Sequence, residues 1–409
     1  MSSAKPSLEL LRALTEEHVL RALMDRRRLT RAEIAAATSI SKPTISEGVR
    51  RLVDLGLLVD TGERSTGRGR SGTYYSLSPD CGAALVVSIT PRGVTVESID
   101  PFGDVGTSSV VPLDRGAGAY AVTRALEAAL ERVQASGTTS GTSGTSGTSR
   151  TSSASDTTPS RGAVRRLRVA VVSAADPVDR DTGRLVHLPD APFLVGDLDP
   201  RSLLAGAVEG PVLVDNDVNW AARAEQAAGG DGAAGGSADF AYLYLDEGLG
   251  CAVVSDGEVR RGHSGLAGEI AHLVTEGPDG RAVRLTEVFA ELGLRRHGST
   301  AIDVERLRQR VAAARSGDAT LGALGAAVSG VLEAVTALAD PELVVVGGGW
   351  GCDEAVVEEL RRRSAGLPRP VAVVSAAVGE EPQLSGARAA ALEQLRELVV
   401  AAVRGPDRP

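Results

Sequence analysis

Residues 30–58 read TRAEIAAATSISKPTISEGVRRLVDLGLL, a stretch that predicts two short helices with a tight turn between them. Thr30 and Glu33 have the spacing of a capping box, which opens the first helix. Ser41 is a favourable N-cap for a second helix that continues to about residue 55. Between the two helices only about four residues are left for the turn, as in a compact helix pair.

The flanking sequence completes a small domain around this helix pair. Residues 8–25 carry leucines and valine at helical spacing, which predicts a preceding helix. Residues 57–60 and 73–77 have the composition of two strands, and the Gly- and Arg-rich segment between them predicts a hairpin tip. A helix pair followed by such a hairpin is a winged helix-turn-helix, so residues 1–78 are predicted to bind DNA.

In this arrangement the start of the second helix enters the major groove of double-stranded DNA. Polar residues off the apolar stripe can meet bases, basic residues can neutralise phosphates, and arginines among glycines suit a minor groove. The alternative is a helix-turn-helix that only packs, with a flexible loop at its tip. The predicted DNA-binding residues are Ser41, Lys42, Thr44, Ser46, Glu47, Arg50 and Arg51 on the helix and Arg64, Arg68 and Arg70 on the wing.

The charge of the chain is unevenly distributed. Residues 1–78 hold 13 Lys and Arg against 9 Asp and Glu, a net charge of +4. The remaining residues hold 31 against 44, a net charge of −13. A basic module joined to an acidic body is typical of a nucleic-acid reader attached to another domain, although chance can also produce such an asymmetry.

Composition excludes several classes of protein. A chain of 409 residues has room for two or three domains. Cys81, Cys251 and Cys352 are far apart, so neither a disulfide framework nor a cysteine-rich metal site is expected. The chain has no apolar run of about 18 residues and no signal peptide at its start. We therefore expect a cytoplasmic protein without a membrane partner.

From residue 79 to residue 409 the pattern becomes α/β. Strand-like segments alternate with helical ones, which predicts a mixed sheet. Residues of about 136–162 are almost all Gly, Ser and Thr, and we predict a disordered insertion there. The predicted strands are residues 84–90, 94–100, 166–174, 212–217, 241–246, 251–257, 341–349 and 370–376.

Three segments of this body resemble the ROK family of repressors and sugar kinases: DNDVNWAARAE (215–225), RRGHSGLAGEIAHL (260–273) and PELVVVGGG (341–349). The helix pair of residues 30–58 is also similar to the DNA-binding region of ROK repressors. The resemblance covers about residues 80–395 of the body. It implies an α/β fold with an N-terminal winged helix-turn-helix and a two-lobed actin/hexokinase-like (ribonuclease H-like) ROK domain, and a homodimer or dimer of dimers.

The resemblance also implies a sugar site. Asp217 stands at the position of the general base of ROK kinases, and Asn216, Glu269 and His272 stand at positions that contact sugar hydroxyls. Glu287 is the candidate for a further sugar-binding carboxylate. Carboxylates and amides suit such a ligand because they can bond several hydroxyls at once. As alternatives, Asp217 could cap a turn, Glu269 could pair with an arginine, and His272 could simply be packed.

Departures from the kinase pattern affect the phosphate and zinc motifs. The phosphate loop of ROK kinases is replaced by residues 88–92, where Pro91 lacks the N–H that would bind phosphate. The second phosphate motif carries Asp246 and Glu247, which would repel a γ-phosphate. The zinc motif corresponds to residues 277–287, which contain no cysteine. We therefore expect no kinase activity, no cofactor and no bound metal.

Together these patterns predict a transcriptional regulator, in the first instance a repressor, that reads an inverted-repeat operator. We expect a small-molecule sugar to be its effector. One alternative is a regulator that uses the body only as a dimerisation scaffold and senses no small molecule. A second alternative is an active sugar kinase with a regulatory head.

Overall fold

The computed structural model describes residues 8–65, 72–139, 166–188, 195–313 and 319–404. Arg68 and Arg70 lie outside these ranges, and so does most of the predicted insertion. Within the described residues, the fold is a small N-terminal head followed by a body with two five-stranded sheets.

The head contains the elements that the sequence predicts. Thr30 and Glu33 form the capping box, with the Thr30 N–H donating to Glu33 Oε2 at 2.7 Å. Ser41 caps the second helix of the pair. The three strands lie in the order β1-β3-β2. The elements are α1 (Leu8–Arg26), β1 (Arg28–Thr30), α2 (Arg31–Thr38), α3 (Lys42–Asp54), β2 (Leu58–Arg64) and β3 (Thr73–Leu77).

The first lobe of the body is built on a sheet in the order β6-β5-β4-β7-β8. Its first three strands are antiparallel, whereas β7 and β8 run parallel to β4. The sheet packs against a helix that begins at Ala119 and continues to Thr139, into the start of the predicted insertion. The elements are β4 (Ala83–Thr90), β5 (Gly93–Ile99), β6 (Val105–Pro112), α4 (Ala119–Thr139), β7 (Leu167–Ala174), α5 (Pro200–Leu204) and β8 (Val212–Asn216).

The second lobe repeats this topology, with a sheet in the order β11-β10-β9-β14-β15. This repetition within one chain agrees with the predicted two-lobed architecture. Between the two lobes in sequence lies α6 (Asp217–Ala227). The elements of the second lobe are β9 (Phe240–Leu245), β10 (Leu249–Ser255), β11 (Glu258–Val259), β12 (Val274–Glu276), β13 (Ala282–Arg284), α7 (Leu285–Glu291), α8 (Val304–Ala313), α9 (Thr320–Ala339), β14 (Leu343–Gly347), α10 (Glu354–Ser364) and β15 (Ala372–Ser375).

One described helix, α9, is long and apolar enough to cross a membrane on length and composition alone. Glu333 and scattered small residues interrupt its apolar residues, so the sequence does not show a continuous apolar run there. Half of its apolar window is buried, and Val328, Val331 and Leu332 belong to the core of the second lobe. Packing in this core accounts for the apolar character of α9.

The two lobes meet on α6 and on the last helix, α11 (Pro382–Ala401). Trp220 of α6 packs with α11 against the first sheet, whereas Val218 faces the second sheet. The two helices approach so closely that a Cβ on Gly386 would lie 1.8 Å from the Trp220 carbonyl oxygen. Glycine is therefore required at residue 386, and α6 and α11 are closely coupled in position.

The head shares its hydrophobic core with the C-terminal end of α11. Val399 and Val400 are fully buried among head residues such as Leu20 and Leu23. Arg396 donates to the Met24 carbonyl oxygen at 3.1 Å. The head that the sequence assigns to residues 1–78 is thus completed by residues more than 300 positions away.

Candidate functional site

A pocket opens between the two lobes at the N-terminal end of α6. It encloses about 1430 Å³, counting its open mouth, and Asn216, Asp217, Glu269 and His272 all line it. The structure therefore brings together four of the five residues that the sequence proposes for sugar binding. Gln383, in the first turn of α11, also lines the pocket.

Asn216 and Asp217 differ in how they are held. Asn216 caps α6: its Oδ1 accepts from the Val218 N–H at 2.9 Å and its Nδ2 donates to the Asp176 carbonyl oxygen at 3.2 Å. Asp217 is half-buried, and its carboxylate has no side-chain partner among the described residues. Asp217 is therefore a better candidate than Asn216 for a direct bond to a ligand.

The pocket carboxyl groups have raised pKa values. Burial, together with the smaller effect of the charges of Glu269, Asp176 and Asp246, raises the pKa of Asp217 to about 7. The pKa of Glu269 is also raised to about 7, mainly because burial disfavours its charged form and to a lesser degree because of the charge of Asp176. Glu269 nevertheless remains open to the solvent in the pocket. These carboxyl groups therefore lie close to the midpoint of their titration near neutral pH.

Glu287 does not join this group. It is exposed and caps α7, where its Oε2 accepts from the Arg284 N–H at 3.1 Å. Its neighbours Thr286 and Phe289 line the pocket instead. Helical geometry explains the difference, since a residue that reaches back to cap its own helix cannot also point inward. The expectation for Glu287 is corrected accordingly.

Asp215 and Arg261, which sequence reasoning did not select, hold the pocket motifs in place. Asp215 is buried, and its Oδ2 pairs with Arg261 at 2.5 Å. Gly268 is also structural: it has φ +97°, and a Cβ there would lie 1.7 Å from the Cys251 carbonyl oxygen. Asp215 and Arg261 each stand in one of the ROK-like segments of the sequence, but the sequence gives no sign that they pair across the two lobes.

Asp176 was likewise missed, and it lies in the chain between Ala175 and Pro177, which both line the pocket. It is 2% exposed, and its Oδ2 accepts from the backbone N–H groups of Val195 and Gly196 at 3.0 and 3.2 Å. Its Oδ1 is buried without a hydrogen-bond partner among the described residues. Burial raises the pKa of Asp176 to about 7.

The opposite side of the cleft corresponds to the phosphate motifs, and its acidic groups are internally bonded. Asp246 Oδ2 accepts from the Tyr244 hydroxyl at 3.0 Å and from the Gly349 N–H at 3.1 Å. Its Oδ1 accepts from the Glu247 N–H at 2.8 Å. Glu247 in turn pairs with Arg296 at 3.0 Å. The carboxylate of Asp246 thus bonds the N–H of the GGG segment, a group of the kind that binds phosphate.

The β4–β5 turn closes this side of the cleft. Thr90, Pro91 and Arg92 all line the pocket, and the Thr90 hydroxyl donates to the Gly93 carbonyl oxygen at 3.1 Å. The Arg92 N–H donates back to the Thr90 hydroxyl at 3.3 Å. These polar groups are therefore hydrogen-bonded to one another within the turn, and Pro91 offers no N–H to a ligand.

The segment at the ROK zinc motif is a short hairpin formed by β12 and β13. Thr275 is buried, and its hydroxyl donates to the Ala327 carbonyl oxygen on α9 at 2.5 Å. In the part of the chain that the structure describes, no three His, Cys, Asp or Glu side chains are grouped to hold a metal ion. The residues present therefore do not fit the family's zinc site, and hydrogen bonding and packing hold this hairpin.

The head presents the start of α3 to solvent. Ser41, Lys42, Thr44, Glu47 and Arg50 are exposed, and Ser46 is half-buried. The opposite face of the helix is buried through Ile45, Val49 and Leu52. The polar side chains of α3 are therefore accessible to a DNA groove, as the sequence predicts for a recognition helix.

Ion pairs engage several of the basic residues predicted to contact DNA. Arg51 pairs with Glu16 of α1 at 2.5 Å and with Glu47 at 3.1 Å, so it joins α3 to α1. Arg50 pairs with Glu47 at 2.6 Å. Arg64 pairs with Asp60 at 3.2 Å on the wing. Lys42 has no such partner among the described residues, so it is the basic residue of α3 most available to a phosphate.

Comparison with known families locates both parts of the chain. The model of the ROK family matches residues 156–393, and the model of the MarR family matches residues 14–70. A xylose repressor from Caldicellulosiruptor bescii is 21% identical over 263 residues, which are 64% of this chain and 59% of the repressor. A bifunctional NanE/NanK enzyme from Brucella suis is 29% identical over 194 residues, 45% of this chain and 35% of the enzyme. The chain thus spans less than two thirds of either relative.

Solved structures show the same arrangement of the fold. A ROK family transcriptional regulator, a homologue of the E. coli MLC protein, aligns with a TM-score of 0.61 at 16% identity, covering 97% of this chain and all of the regulator. A ROK hexokinase from Thermus thermophilus aligns with a TM-score of 0.51 at 24% identity, covering 77% of this chain and 99% of the hexokinase. The first alignment includes the head, whereas the second covers a smaller share of the chain.

Proposed function

This chain belongs to the ROK family, and we propose that it is a DNA-binding transcriptional regulator of that family whose body responds to a sugar. The observation that carries the proposal is the exposed recognition helix α3 on a head whose core is completed by α11, a helix that begins at the pocket. The similarity to xylose repressors supports the repressor role and the sugar response.

The head binds DNA through the start of α3. Ser41, Thr44 and Ser46 are the candidates for base contacts, and Lys42 is the candidate for a phosphate contact. A single small head buries too little surface for a specific site, so two heads in a dimer bind the two halves of an inverted repeat. The domain division at about residue 78 and the dimer are part of this proposal.

The body binds its ligand without transferring phosphate. Phosphoryl transfer depends on positioning and on stabilising phosphate charge. Here Asp246 already bonds the Gly349 N–H, and the β4–β5 turn bonds itself. A nucleotide would have to displace these contacts and would face the Asp246 carboxylate. The body therefore acts as a binding domain even though Asp217 occupies the position of the kinase base.

A ligand signal reaches the head through α11. This helix begins beside the pocket at Gln383, is anchored on β5 by an Arg388–Glu97 pair at 2.7 Å, and ends in the head core. Its 20 residues span about 30 Å as a single rigid element. Because α6 and α11 touch at Gly386, lobe closure on a ligand shifts α11 and with it the head. Two heads displaced in this way no longer fit one operator.

A gel-shift titration on the DNA flanking its own gene tests this proposal. The salt concentration is held fixed near the physiological value, because electrostatic binding makes affinity depend on salt. A panel of free sugars, amino sugars and their phosphates is then added to the complex. We expect specific binding that one class of sugar releases or tightens. The absence of any specific shift would contradict the DNA-binding role.

The scaffold alternative is separated from the sensor by Glu269→Ala. In a sensor this change abolishes the sugar response while leaving DNA affinity unchanged, because Glu269 lines the pocket and is not part of the head. A matched control is Glu358→Ala, which removes an exposed glutamate of α10 whose side chain is 72% exposed. A specific DNA shift that no sugar alters in the wild type would favour the scaffold, and turnover in a coupled ADP-release assay would favour the kinase.

A further inference from the structure

Acidic groups dominate the sugar side of the pocket. Asp217 and Glu269 line it, and neither carboxylate has a side-chain hydrogen-bond partner among the described residues. The Asp217 carboxylate accepts only from the backbone N–H of Val218. The exposed Arg92, across the cleft on the β4–β5 turn, and His272 also line the pocket. Arg261, the other nearby cation, is already paired with Asp215. The sugar side therefore presents two carboxyl groups that an arriving cation can ionise, and the arginine that lines the pocket lies across the cleft from them.

Asp176 adds a third acidic group to this side. It is joined to the pocket through its backbone, since the Asn216 amide donates to its carbonyl oxygen at 3.2 Å. One of its carboxylate oxygens is bonded by two backbone N–H groups, whereas the other is buried and unpartnered among the described residues. Its charge contributes to the raised pKa of both Asp217 and Glu269.

Electrostatics distinguishes the ligands that such a pocket can take. Like charges in a partly desolvated site repel, and an arriving cation removes that repulsion. A neutral sugar forms hydrogen bonds but leaves the repulsion in place, and a sugar phosphate increases it. Charge-assisted hydrogen bonds are also about twice as strong as neutral ones.

We propose that the pocket binds a polyhydroxylated ligand carrying a protonated amine, an amino sugar, and that Asp176 is the residue that sets this preference. This inference rests on the proposed sugar response and specifies its ligand class. The hydroxyls of the ligand bond Asp217 and Glu269, and its ammonium group lies in the negative field that Asp176 intensifies. Asp176 acts as a positioning and specificity residue.

Isothermal titration calorimetry on the full chain at neutral pH tests the preference. The probes are glucosamine, mannosamine and galactosamine, each beside its neutral parent sugar, its N-acetyl derivative and its 6-phosphate. For the configuration that binds, we expect the amine to bind at least about tenfold more tightly than the parent sugar. N-acetylation, which removes the charge, should abolish that advantage, and the 6-phosphate should bind more weakly than the free amine.

Asp176→Asn tests the assigned residue. The amide keeps the shape of the side chain and an oxygen for the Val195 and Gly196 N–H groups, but it carries no charge. We expect the advantage of the amine over its parent to fall about threefold or more, with the affinity for the parent unchanged. The control is Glu209→Gln, an exposed glutamate paired with Arg166, which should leave the advantage intact. Circular dichroism establishes that both variants are folded.

Three outcomes contradict the inference in different ways. A parent sugar that binds as tightly as its amine, or a phosphate that binds most tightly, overturns the cation preference while leaving the sugar response standing. An unchanged advantage in Asp176→Asn overturns the role of that residue. Failure of every sugar, charged or neutral, to bind overturns the ligand proposal together with the sugar response beneath it.

Discussion

The two sides of the cleft carry similar numbers of acidic residues, but they differ in how far those residues are bonded to other parts of the protein. On the phosphate side, Asp246 accepts three hydrogen bonds and Glu247 pairs with Arg296. On the sugar side, Asp217 and Glu269 line open space and have no side-chain partner among the described residues, and Asp217 accepts only from the backbone N–H of Val218. The acidic groups on one side therefore contribute to internal stability, whereas those on the other side are available to an incoming ligand.

This contrast has an energetic reason. A buried polar group without a partner costs free energy, so a protein retains such groups where a ligand satisfies them. A group that no ligand visits is stabilised by an internal partner instead. Substitutions on the two sides should therefore affect different quantities, stability on one side and ligand affinity on the other.

The largest expected effect is on stability, from Asp246→Ala. The change leaves the Tyr244 hydroxyl and the Gly349 and Glu247 N–H groups without their acceptor. We expect the free energy of unfolding to fall by about 2–3 kcal/mol. Urea denaturation measures this, with Glu358→Ala on the exposed face of α10 as the control. A loss below that of the control would mean that these bonds contribute no stability.

The reverse pattern is expected on the sugar side from Glu269→Gln. Glutamine keeps the size of the side chain but not its charge, so sugar affinity should fall about tenfold or more, about 1.4 kcal/mol. Stability should not fall, because no hydrogen bond of the described structure is lost and glutamine carries no charge that burial disfavours. Calorimetric titration and urea denaturation of the same preparation give both quantities. A large loss of stability with unchanged affinity would remove the distinction between the two sides.

A smaller effect concerns pH. Asp217 and Glu269 have folded-state pKa values raised to about 7, so the folded protein binds more protons than the unfolded chain between about pH 4 and pH 7. The contribution of these two groups to stability is therefore greatest at the acidic end of this range, falls as pH rises, and levels off above about pH 7. In Asp217→Asn we expect this fall to be smaller by about 1 kcal/mol, or roughly 2 °C in Tm. Thermal melts of both proteins at pH 5.5 and pH 8 measure the difference. An equal fall in Tm in the wild type and the variant would contradict the prediction.

The smallest effect is expected for Glu247→Gln. The Glu247–Arg296 pair is partly exposed, with side chains 22% and 29% accessible, so solvent screens it. We expect a loss of about 0.5–1 kcal/mol and unchanged sugar affinity. Urea denaturation at low and high salt checks the prediction, since the loss should decrease with added salt. A salt-independent loss would indicate that packing, not charge, is the cause.

Local sequence patterns predicted the head with little error. The capping box at Thr30 and the cap at Ser41 lie where the spacing placed them, because caps depend on contacts within one turn. The strands of the body were also placed to within a few residues. The strand β6 was not identified, since its exposed edge position leaves it without a clear apolar pattern.

The pocket was predictable only in part. Motif resemblance identified four lining residues, but it misplaced Glu287, whose carboxylate is used by its own helix. Asp176 and the Asp215–Arg261 pair carried no sequence signal, because their significance depends on which distant groups face them. The same holds for Asp246, which the sequence marked as an obstacle to phosphate but not as the partner of Gly349.

Sequence patterns alone predicted the helices and strands of the helix-turn-helix, most strands of the two large sheets, the basic head, the acidic body and the altered phosphate motifs. Each of these follows from short-range spacing or from composition. The folded structure was needed to show that Val399 and Val400 complete the head core and that Gly386 joins α6 to α11. It was also needed to show which pocket carboxylates have no side-chain partner. These features require contacts between segments that are far apart in the sequence. Burial and charge pairing depend on which residues are close in space, and not on their separation along the chain.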